Sequence, residues 1–421
     1  MKRRIILVVL VGILLCACGG AATPNGRVSF MIFGDPAEKA AYEQLVSEFQ
    51  QRNPAISVDL VHIPSQGDYR QRLGSDLAAG TPADIVLINY RRYAPYAEKD
   101  ALEPLGPYLA KSTLIAEQDF YPQAIEPFRW KGTVMCIPQN LSSLVVYYNR
   151  DLFKAANIPE PSDTWTWVEF LSAAKALTKD TNGDGVTDQY GLGSEVSIFR
   201  IAPFIWQNGG SLVDNEQAPT RLAVDTPAAR EAIQWFVDLQ VKHKVTPDAT
   251  AEAAEGSEQR FLNGSLGMFL NSRRGTPTYR EIQSFDWDIA PLPRNQQAAT
   301  ILHADAYCLP KASKNKDAAW KLIEFANSPE GQAIIARSGR TVPSLRSVAE
   351  SDVFLDPQAK PSRSRIFLDA IDQIRAVPVI PSWVEIEDIS GEEFERAFYG
   401  QATADEAITT LIDRTTSLFE Q

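Results

Sequence analysis

One loop has the spacing of a calcium site. Positions one, three, five, seven and nine of this loop carry oxygen donors, which are Asp180, Asn182, Asp184, Val186 (through its carbonyl) and Asp188. Alternate oxygens can wrap a hard cation when a glycine at position six allows a sharp turn, and Gly185 stands there. The bidentate glutamate expected at position twelve is replaced by Gly191. The sequence therefore predicts either a structural calcium site or a set of Asx-turns without metal.

Motifs of enzymatic chemistry are missing from the sequence. It contains no G-x-S-x-G, H-E-x-x-H, P-loop or dinucleotide-binding glycine pattern. Its three histidines, His62, His243 and His303, are more typical of surface or core positions than of a catalytic base or metal ligand. These absences favour a protein that is not an enzyme. The paired carboxylates of a glycosidase are defined by their separation in space, so a secreted carbohydrate-active enzyme remains an alternative.

The N-terminus indicates export from the cytoplasm. Three basic residues near the start are followed by an apolar stretch over residues 5–15, which is shorter than the roughly 20 residues that a membrane span needs. The ending Leu15-Cys16-Ala17-Cys18 resembles the bacterial lipobox, whose final cysteine is acylated. We therefore predict a signal peptide over residues 1–17, lipidation of Cys18, a flexible tether over 18–26 and a location on the outer face of the cytoplasmic membrane. An ordinary cleaved signal with an incidental cysteine is the alternative.

Length and charge narrow the classes of protein further. The 421 residues exceed the ~250 to 300 at which single hydrophobic cores stop growing, so we expect two domains. A net charge of -12 argues against a nucleic-acid partner, because phosphate binding requires clustered lysine and arginine. The anchor is the one expected contact with lipid.

Strands and helices alternate along the first part of the chain. Apolar strand patterns at 28–33, 56–63 and 84–88 are separated by helical patterns around 42–49 and 69–79. Such alternation predicts an α/β sheet, and open sheets of this kind bind ligands beyond the carboxyl ends of their strands. Asp35, Glu38, Asn89, Tyr90 and Arg91 follow two of these strands. Further helices are expected at 164–177, 228–242, 318–326 and 404–419.

Ten short stretches spread over the chain share their order with one family. They are FGD (33–35), FQQRNPAISV (49–58), AGTPADIVL (79–87), PQNLSSLVVYYNRDLF (138–153), TWVEF (166–170), NGDGVTDQYG (182–191), QNGGSLVD (207–214), GMFLN (267–271), WDIAPLP (287–293) and SKNKDAAWKLIEF (313–325). In these stretches the sequence resembles the extracellular solute-binding proteins, family 1, that bind carbohydrates for ABC transporters, of the maltose- and trehalose-binding kind. The resemblance implies a monomeric sugar receptor that delivers its ligand to membrane permease subunits and requires no cofactor.

The resemblance also implies a two-lobed α/β clamp of the type II periplasmic-binding-protein kind. Each lobe would contain a mixed, mostly parallel sheet flanked by helices, and hinge strands would join the lobes. Carried onto this sequence, the N-terminal lobe comprises residues 27–138 and 306–342, and the C-terminal lobe comprises 139–304 and 343–421. Cys136 and Cys308 would lie on two strands where the chain crosses between lobes, which makes a disulfide between them an expectation, with two free buried cysteines as the alternative.

From their positions relative to the family's motifs, the resemblance implies twelve residues as ligand contacts. They are Asp35, Glu38, Asn89, Tyr90, Asn140, Ser142, Trp206, Gly210, Arg273, Arg274, Asp305 and Trp383. Trp206 and Trp383 lie in segments that face the cleft in relatives and are expected to be aromatic platforms for a sugar ring. Where maltose-binding members have a tryptophan, this sequence has Arg273 and Arg274. Because arginine binds carboxylate and phosphate groups well, the ligand could be a charged sugar, or a phosphorylated or acidic small molecule.

Overall fold

The computed structural model describes residues 26–420. The predicted signal peptide, lipidation site Cys18 and nearly all of the tether lie outside these residues. Within residues 26–420, no helix has both the length and the apolar character needed to cross a membrane.

The described chain contains fourteen strands. They are β1 (Gly26–Phe33), β2 (Ile56–Ile63), β3 (Ile85–Asn89), β4 (Arg129–Trp130), β5 (Thr133–Val134), β6 (Cys136–Pro138), β7 (Ser142–Ser143), β8 (Val145–Asn149), β9 (Tyr190–Gly193), β10 (Leu266–Asn271), β11 (Trp287–Ala290), β12 (Thr300–His303), β13 (Asp305–Cys308) and β14 (Ile374–Arg375).

Eighteen α-helices accompany the strands in the described part. They are α1 (Pro36–Arg52), α2 (Gln66–Ala79), α3 (Ala94–Glu98), α4 (Gly106–Leu109), α5 (Pro122–Ile125), α6 (Arg150–Ala155), α7 (Trp167–Leu177), α8 (Ile198–Gln207), α9 (Pro227–Val241), α10 (Ala249–Ala254), α11 (Ser257–Asn263), α12 (Thr276–Tyr279), α13 (Lys316–Ala326), α14 (Pro329–Arg337), α15 (Arg346–Ala349), α16 (Ile366–Asp369), α17 (Trp383–Phe398) and α18 (Ala404–Thr415). Short 3-10 turns lie at Glu117–Asp119, Glu126–Phe128, Arg273–Gly275, Ile371–Gln373 and Thr416–Phe419.

Two main sheets define two lobes. The N-terminal sheet has the order β2-β1-β3-β13-β6, in which β1 runs parallel to β2 and β3 while β13 runs antiparallel to β3 and β6. The C-terminal sheet has the order β11-β8-β10-β9. Because β13 comes from a part of the sequence more than two hundred residues after β3, the N-terminal lobe is built from discontinuous segments. The expected two-lobed α/β class is therefore confirmed.

A third sheet lies where the chain passes between the main sheets. It has the order β14-β12-β7. Three residues separate β6 from β7, and Ala304 alone separates β12 from β13. Cys136 and Cys308 face each other in the register of β6 and β13, and the structure joins them in a disulfide. These two crossing strands are thus tied together beside the passage between the lobes.

Local sequence explains how α1 begins beside the edge of the N-terminal sheet. Asp35 caps the helix by accepting a hydrogen bond from the backbone N–H of Glu38 over 2.9 Å, and Pro36 occupies the first turn. The buried face of the helix carries Tyr42, Leu45 and Phe49 at helical spacing. This packing fixes the first turn, and with it Glu38, next to the carboxyl end of β1.

Candidate functional site

A cavity of about 1020 Å³ lies between the two lobes. Its inner wall comes from the carboxyl ends of β1 and β3, the start of β13 and the segment between β6 and β7. The C-terminal lobe adds residues at the start of α8, the loop after β10 and one face of α17. The cavity therefore lies at the strand ends where open α/β sheets bind ligands.

Three polar residues from β3, β13 and the segment between β6 and β7 meet at the inner wall. The Nδ2 of Asn89 donates to Oδ1 of Asp305 over 3.1 Å. The backbone N–H of Asp305 donates to Oδ1 of Asn140 over 3.0 Å. Each side chain is therefore held in place while the second carboxylate oxygen of Asp305 stays available. Amide and carboxylate groups fixed in this way can hydrogen-bond neighbouring hydroxyls of a ligand.

Beside this group, Arg340 holds two carboxylates. Its guanidinium is 2.5 Å from Oδ2 of Asp35 and 2.7 Å from Oε2 of Glu38. Glu38 is only 7 % exposed, and its burial raises the pKa of this carboxyl to about 8 while the charge of Arg340 opposes the shift. The 2.7 Å contact lacks the angles of a hydrogen bond, so Oε2 of Glu38 keeps its accepting capacity.

Glu38 can occupy this position because residue 34 is glycine. The backbone of Gly34 has φ +121°, a conformation that other residues rarely adopt. A Cβ atom at Gly34 would overlap the carboxylate of Glu38. The FGD turn after β1 thus lets the carboxylate lie directly on the backbone.

The C-terminal lobe contributes a cluster of aromatic and basic side chains. The rings of Phe199 and His303 are 4.5 Å apart, and Nη1 of Arg200 lies 3.4 Å from Nε2 of His303. Burial lowers the pKa of His303 well below its usual value, and the charge of Arg200 acts in the same direction. A neutral His303 can accept the hydrogen bond that Arg200 offers. Arg274 also lines this part of the cavity.

One side of α17 forms an acidic wall. Val384, Glu387, Asp388, Gly391, Glu392 and Glu395 recur at the spacing of one helix face and line the cavity. Arg70, Arg91 and Arg92 of the N-terminal lobe line it as well. In total the residues that line the cavity include seven acidic side chains and six arginines, so the cavity has no excess of positive charge.

Unpaired hydrogen-bonding atoms are concentrated on this wall. In residues 26–420, nine buried side-chain nitrogen or oxygen atoms have no hydrogen-bond partner in the protein. Five of them belong to residues that line the cavity, namely Glu38 Oε2, Arg92 Nε, Ser197 Oγ, Arg200 Nε and Glu387 Oε2. Buried polar atoms are normally paired, so this cluster indicates a surface prepared for a polar ligand.

Half of the twelve predicted contact residues line the cavity. They are Glu38, Asn89, Asn140, Ser142, Arg274 and Asp305. Asp35 lies just behind the wall, where it caps α1 and pairs with Arg340. Tyr90 is buried, and its hydroxyl accepts a hydrogen bond from the backbone N–H of Val377 over 3.3 Å. Both support the site without lining it.

The two tryptophans predicted as platforms belong to the core. Trp206 is 3 % exposed near the end of α8, and Trp383 is fully buried at the start of α17. Neither ring lines the cavity. The prediction fails because both helices turn their large apolar side chains inward, where the burial of an indole contributes most to stability.

Gly210 and Arg273 also serve the packing of the protein. A Cβ at Gly210 would lie 2.9 Å from Ile205 and 3.1 Å from the backbone of Ala229, so this glycine permits a close approach. Arg273 is 1 % exposed and donates to the carbonyl of Gly339 over 2.7 Å. It also donates to Ser364 over 2.9 Å, which satisfies its guanidinium away from the cavity.

The calcium prediction is not supported. Oδ1 and Oδ2 of Asp180 accept hydrogen bonds from the backbone N–H groups of Gly183 and Gly185. Asn182, Asp184 and Asp188 likewise accept from N–H groups within the loop, including that of Val186. No group of three metal-ligating side chains occurs in the described part of the chain. Oxygens engaged in Asx-turns are turned toward amide hydrogens, so the donor set does not fit a cation.

Several residues of the cavity wall were not predicted from sequence. They are Arg70, Arg92, Phe199, Arg200, His303, Arg340 and Glu387, whereas Arg91 belongs to the strand end noted from the sequence. The helical spacing of acids on α17 could have indicated Glu387, and the position of Arg92 just after β3 could have indicated that residue. His303 and Arg340 reach the wall through the chain crossings between the lobes, which local patterns do not specify.

Comparison with known proteins gives a family match and close structural relatives. The family model described as bacterial extracellular solute-binding protein matches residues 34–333. A binding protein of Brucella abortus is 24% identical over 404 residues, which cover 94% of each chain. The mannitol-binding protein of Pseudomonas aeruginosa is 24% identical over 392 residues, covering 87% of each.

Solved structures share the fold over nearly the whole described chain. The ABC substrate-binding protein of Listeria monocytogenes in complex with cycloalternan superposes with a TM-score of 0.86, at 25% identity, covering 94% of this chain and 99% of that one. The GacH receptor of Streptomyces glaucescens, solved without ligand and with acarbose, gives a TM-score of 0.82 at 22% identity, with the same coverage.

Proposed function

Because this chain belongs to the bacterial extracellular solute-binding protein family, we propose that it binds a carbohydrate between its lobes for an ABC importer. The observation that carries the proposal is the group of five unpaired buried polar atoms on the cavity wall. A sugar presents many hydroxyls that both donate and accept, and can therefore satisfy a wall that mixes carboxylates, guanidinium groups and amides. The cavity volume is at the upper end of the range of about 300 to 1000 Å³ for small-molecule sites.

Each part of the wall has a role in this proposal. Asp305, Asn89 and Asn140 hydrogen-bond hydroxyls at the inner end, and Arg274 donates from the C-terminal lobe. Tyr96, which lines the cavity, offers an apolar face for the C–H side of a sugar ring. A ligand that contacts both lobes binds the closed form better than the open form and thereby drives closure.

The charges of the wall favour a neutral sugar over a phosphorylated or acidic ligand. Of the two arginines considered for an anion, Arg273 does not line the cavity. Arg340 is already paired with Asp35 and Glu38. The remaining five arginines of the lining face six other acidic side chains, so an anionic ligand would meet little net attraction.

Several of the related proteins are named for, or solved with, a neutral or sugar-like polyhydroxylated ligand. They include a mannitol-binding protein, a protein solved with cycloalternan and a receptor solved with acarbose. We propose capture and release without bond cleavage, in keeping with relatives named as binding proteins.

The proposal extends to where the protein works. We propose that the protein is a monomer and that lipid on Cys18 holds it at the outer face of the cytoplasmic membrane. There the tether keeps the receptor concentrated beside its permease. One acyl chain gives only marginal membrane binding, so Cys18 should carry more than one. Cys18→Ser should release a folded, ligand-competent protein.

A panel of sugars tests the function. Thermal unfolding of the purified protein should shift upward with one class of sugar at a 1:1 ratio, and chromatography should find that sugar unchanged. Turnover of any sugar, or stabilisation only by anionic ligands, would contradict the proposal.

A further inference from the structure

The outer part of the cavity has walls of opposite charge. The N-terminal lobe presents Arg70, Arg91 and Arg92, while α17 of the C-terminal lobe presents Glu387 and the more exposed Asp388. Glu392 and Glu395 extend the acidic side toward solvent. Such walls attract each other whenever the cleft narrows.

Arg91 makes the central contact between these walls. Its guanidinium forms an ion pair with Glu387 and lies 3.8 Å above the ring of Phe199. Its Nε donates to Oδ1 of Asn89 over 3.2 Å, which orients the group from its own lobe. Arg92 lies 3.6 Å from the same carboxylate oxygen of Glu387. One arginine therefore touches an aromatic ring and an acid of the opposite lobe.

These ion pairs are unusual in their placement. With the lobe boundaries proposed above, every other ion pair within residues 26–420 joins residues of the same lobe. Both ion pairs between the lobes thus involve Glu387. The three side chains are largely buried, so solvent screens them less than surface pairs.

We infer that Arg91, Arg92 and Glu387 form an electrostatic latch that stabilises the closed cleft even before ligand binds. Opening the cleft separates these charges, whereas closing it also restores the stacking of Arg91 on Phe199. Because the closed form is the one that grips ligand from both lobes, the latch also determines affinity, and this last step rests on the proposed function. Glu387 therefore acts through closure in addition to the hydrogen bond that its free Oε2 can offer to a ligand.

Closure can be measured by small-angle X-ray scattering on the ligand-free protein. Glu387→Gln should raise the radius of gyration at low salt, because the latch is lost while the side-chain shape is kept. Equal radii of the natural protein and Glu387→Gln at low salt would overturn the latch.

Two further variants separate the latch from a general structural effect. Arg91→Gln should open the cleft as Glu387→Gln does, and the double variant should open it by less than the sum of the two, because both single variants remove the ion pair between Arg91 and Glu387. Glu103→Gln breaks the 2.6 Å pair with Lys316 inside the N-terminal lobe and should leave the radius unchanged. Additive opening by the two cleft variants, or equal opening by Glu103→Gln, would contradict the inference.

A binding measurement with sugar distinguishes failure of the latch from failure of the proposed function. With the sugar that stabilises the natural protein, Glu387→Gln should bind about tenfold more weakly, a coupling typical of contacting charged residues. If no sugar binds, the scattering result still shows whether the latch stabilises the closed cleft. If sugar binds and the radii do not differ, the function stands and the latch is wrong.

Discussion

Asn89 and Asp305 are joined by a 3.1 Å hydrogen bond across the ends of two adjacent antiparallel strands, β3 and β13. The two residues are 216 positions apart in sequence. Their contact arises because the chain returns from the C-terminal lobe and inserts β13 between β3 and β6. The return of the chain thus completes the polar inner wall of the cavity.

Substitution of Asp305 should weaken ligand binding more than it weakens folding. Asp305→Ala removes a carboxylate from the inner wall and leaves the amide of Asn89 without its partner. We expect a loss of about 1 to 3 kcal/mol in binding free energy, the usual range for a deleted hydrogen bond to a charged group. Isothermal titration calorimetry with the stabilising sugar measures this. Unchanged affinity would show that the inner wall does not contact ligand.

Substitution of Arg273 should affect stability, whereas substitution of the adjacent Arg274 should affect sugar binding. Arg273→Met should lower the free energy of unfolding by about 1 to 3 kcal/mol, because the carbonyl of Gly339 and the hydroxyl of Ser364 lose a buried donor. Arg274→Gln should weaken sugar binding while the melting temperature stays unchanged, because Arg274 lines the cavity. Thermal unfolding and calorimetry on both variants make the comparison. The reverse pattern would contradict the placement of the two side chains.

Gly34→Ala should destabilise the protein. The added methyl group would overlap the Glu38 carboxylate at a backbone φ of +121°, so the loss should be at least about 2 kcal/mol. Gly391→Ala is the matched control, because no atom lies within 4 Å of a Cβ there and the residue is within α17. The control should stabilise the protein by about 0.5 to 1 kcal/mol. Chemical denaturation measures both, and equal stability of Gly34→Ala and the natural protein would contradict the close approach.

The raised pKa of Glu38 should appear in the pH dependence of stability. Between the ordinary value of 4.5 and about 8, the folded protein binds a proton that the unfolded chain releases. The contribution of Glu38 to the free energy of unfolding therefore falls as pH rises through this window. Glu38→Gln should therefore reduce the dependence of the free energy of unfolding on pH in this window. Glu43 is exposed, so Glu43→Gln should leave that dependence unchanged. Denaturation curves from pH 5 to 8.5 test this, and equal slopes in all three proteins would contradict it.

Local sequence patterns predicted the framework of the site well. The strand predicted at 28–33 and the turn after it correspond to β1 and the cap of α1, so Asp35 and Glu38 fall beside the cavity. Asn89 was found in the same way, because it ends a buried parallel strand. Helix ends were predicted less accurately. The helix predicted to start at Thr164 begins at Trp167, after the capping box of Thr166 and Glu169.

Tertiary packing decided what local patterns could not. Trp383 and Glu387 are one helical turn apart on α17 and lie on the same side of it, yet Trp383 is buried in the core and Glu387 lines the cavity. Helical spacing cannot show where along this side the core ends and the cavity begins, because that depends on how α17 packs against α8, α9 and α18. Arg340 reaches Glu38 through the last crossing of the chain. The calcium-like spacing failed for a related reason, since the loop's own amide hydrogens occupy its oxygens.

Mass spectrometry of small molecules retained by the natively purified protein tests the proposed function most directly. We predict a neutral sugar at close to one molecule per protein, lost on unfolding and reduced by Asp305→Ala. A retained phosphorylated or acidic molecule, bound equally well by Asp305→Ala, would contradict the account.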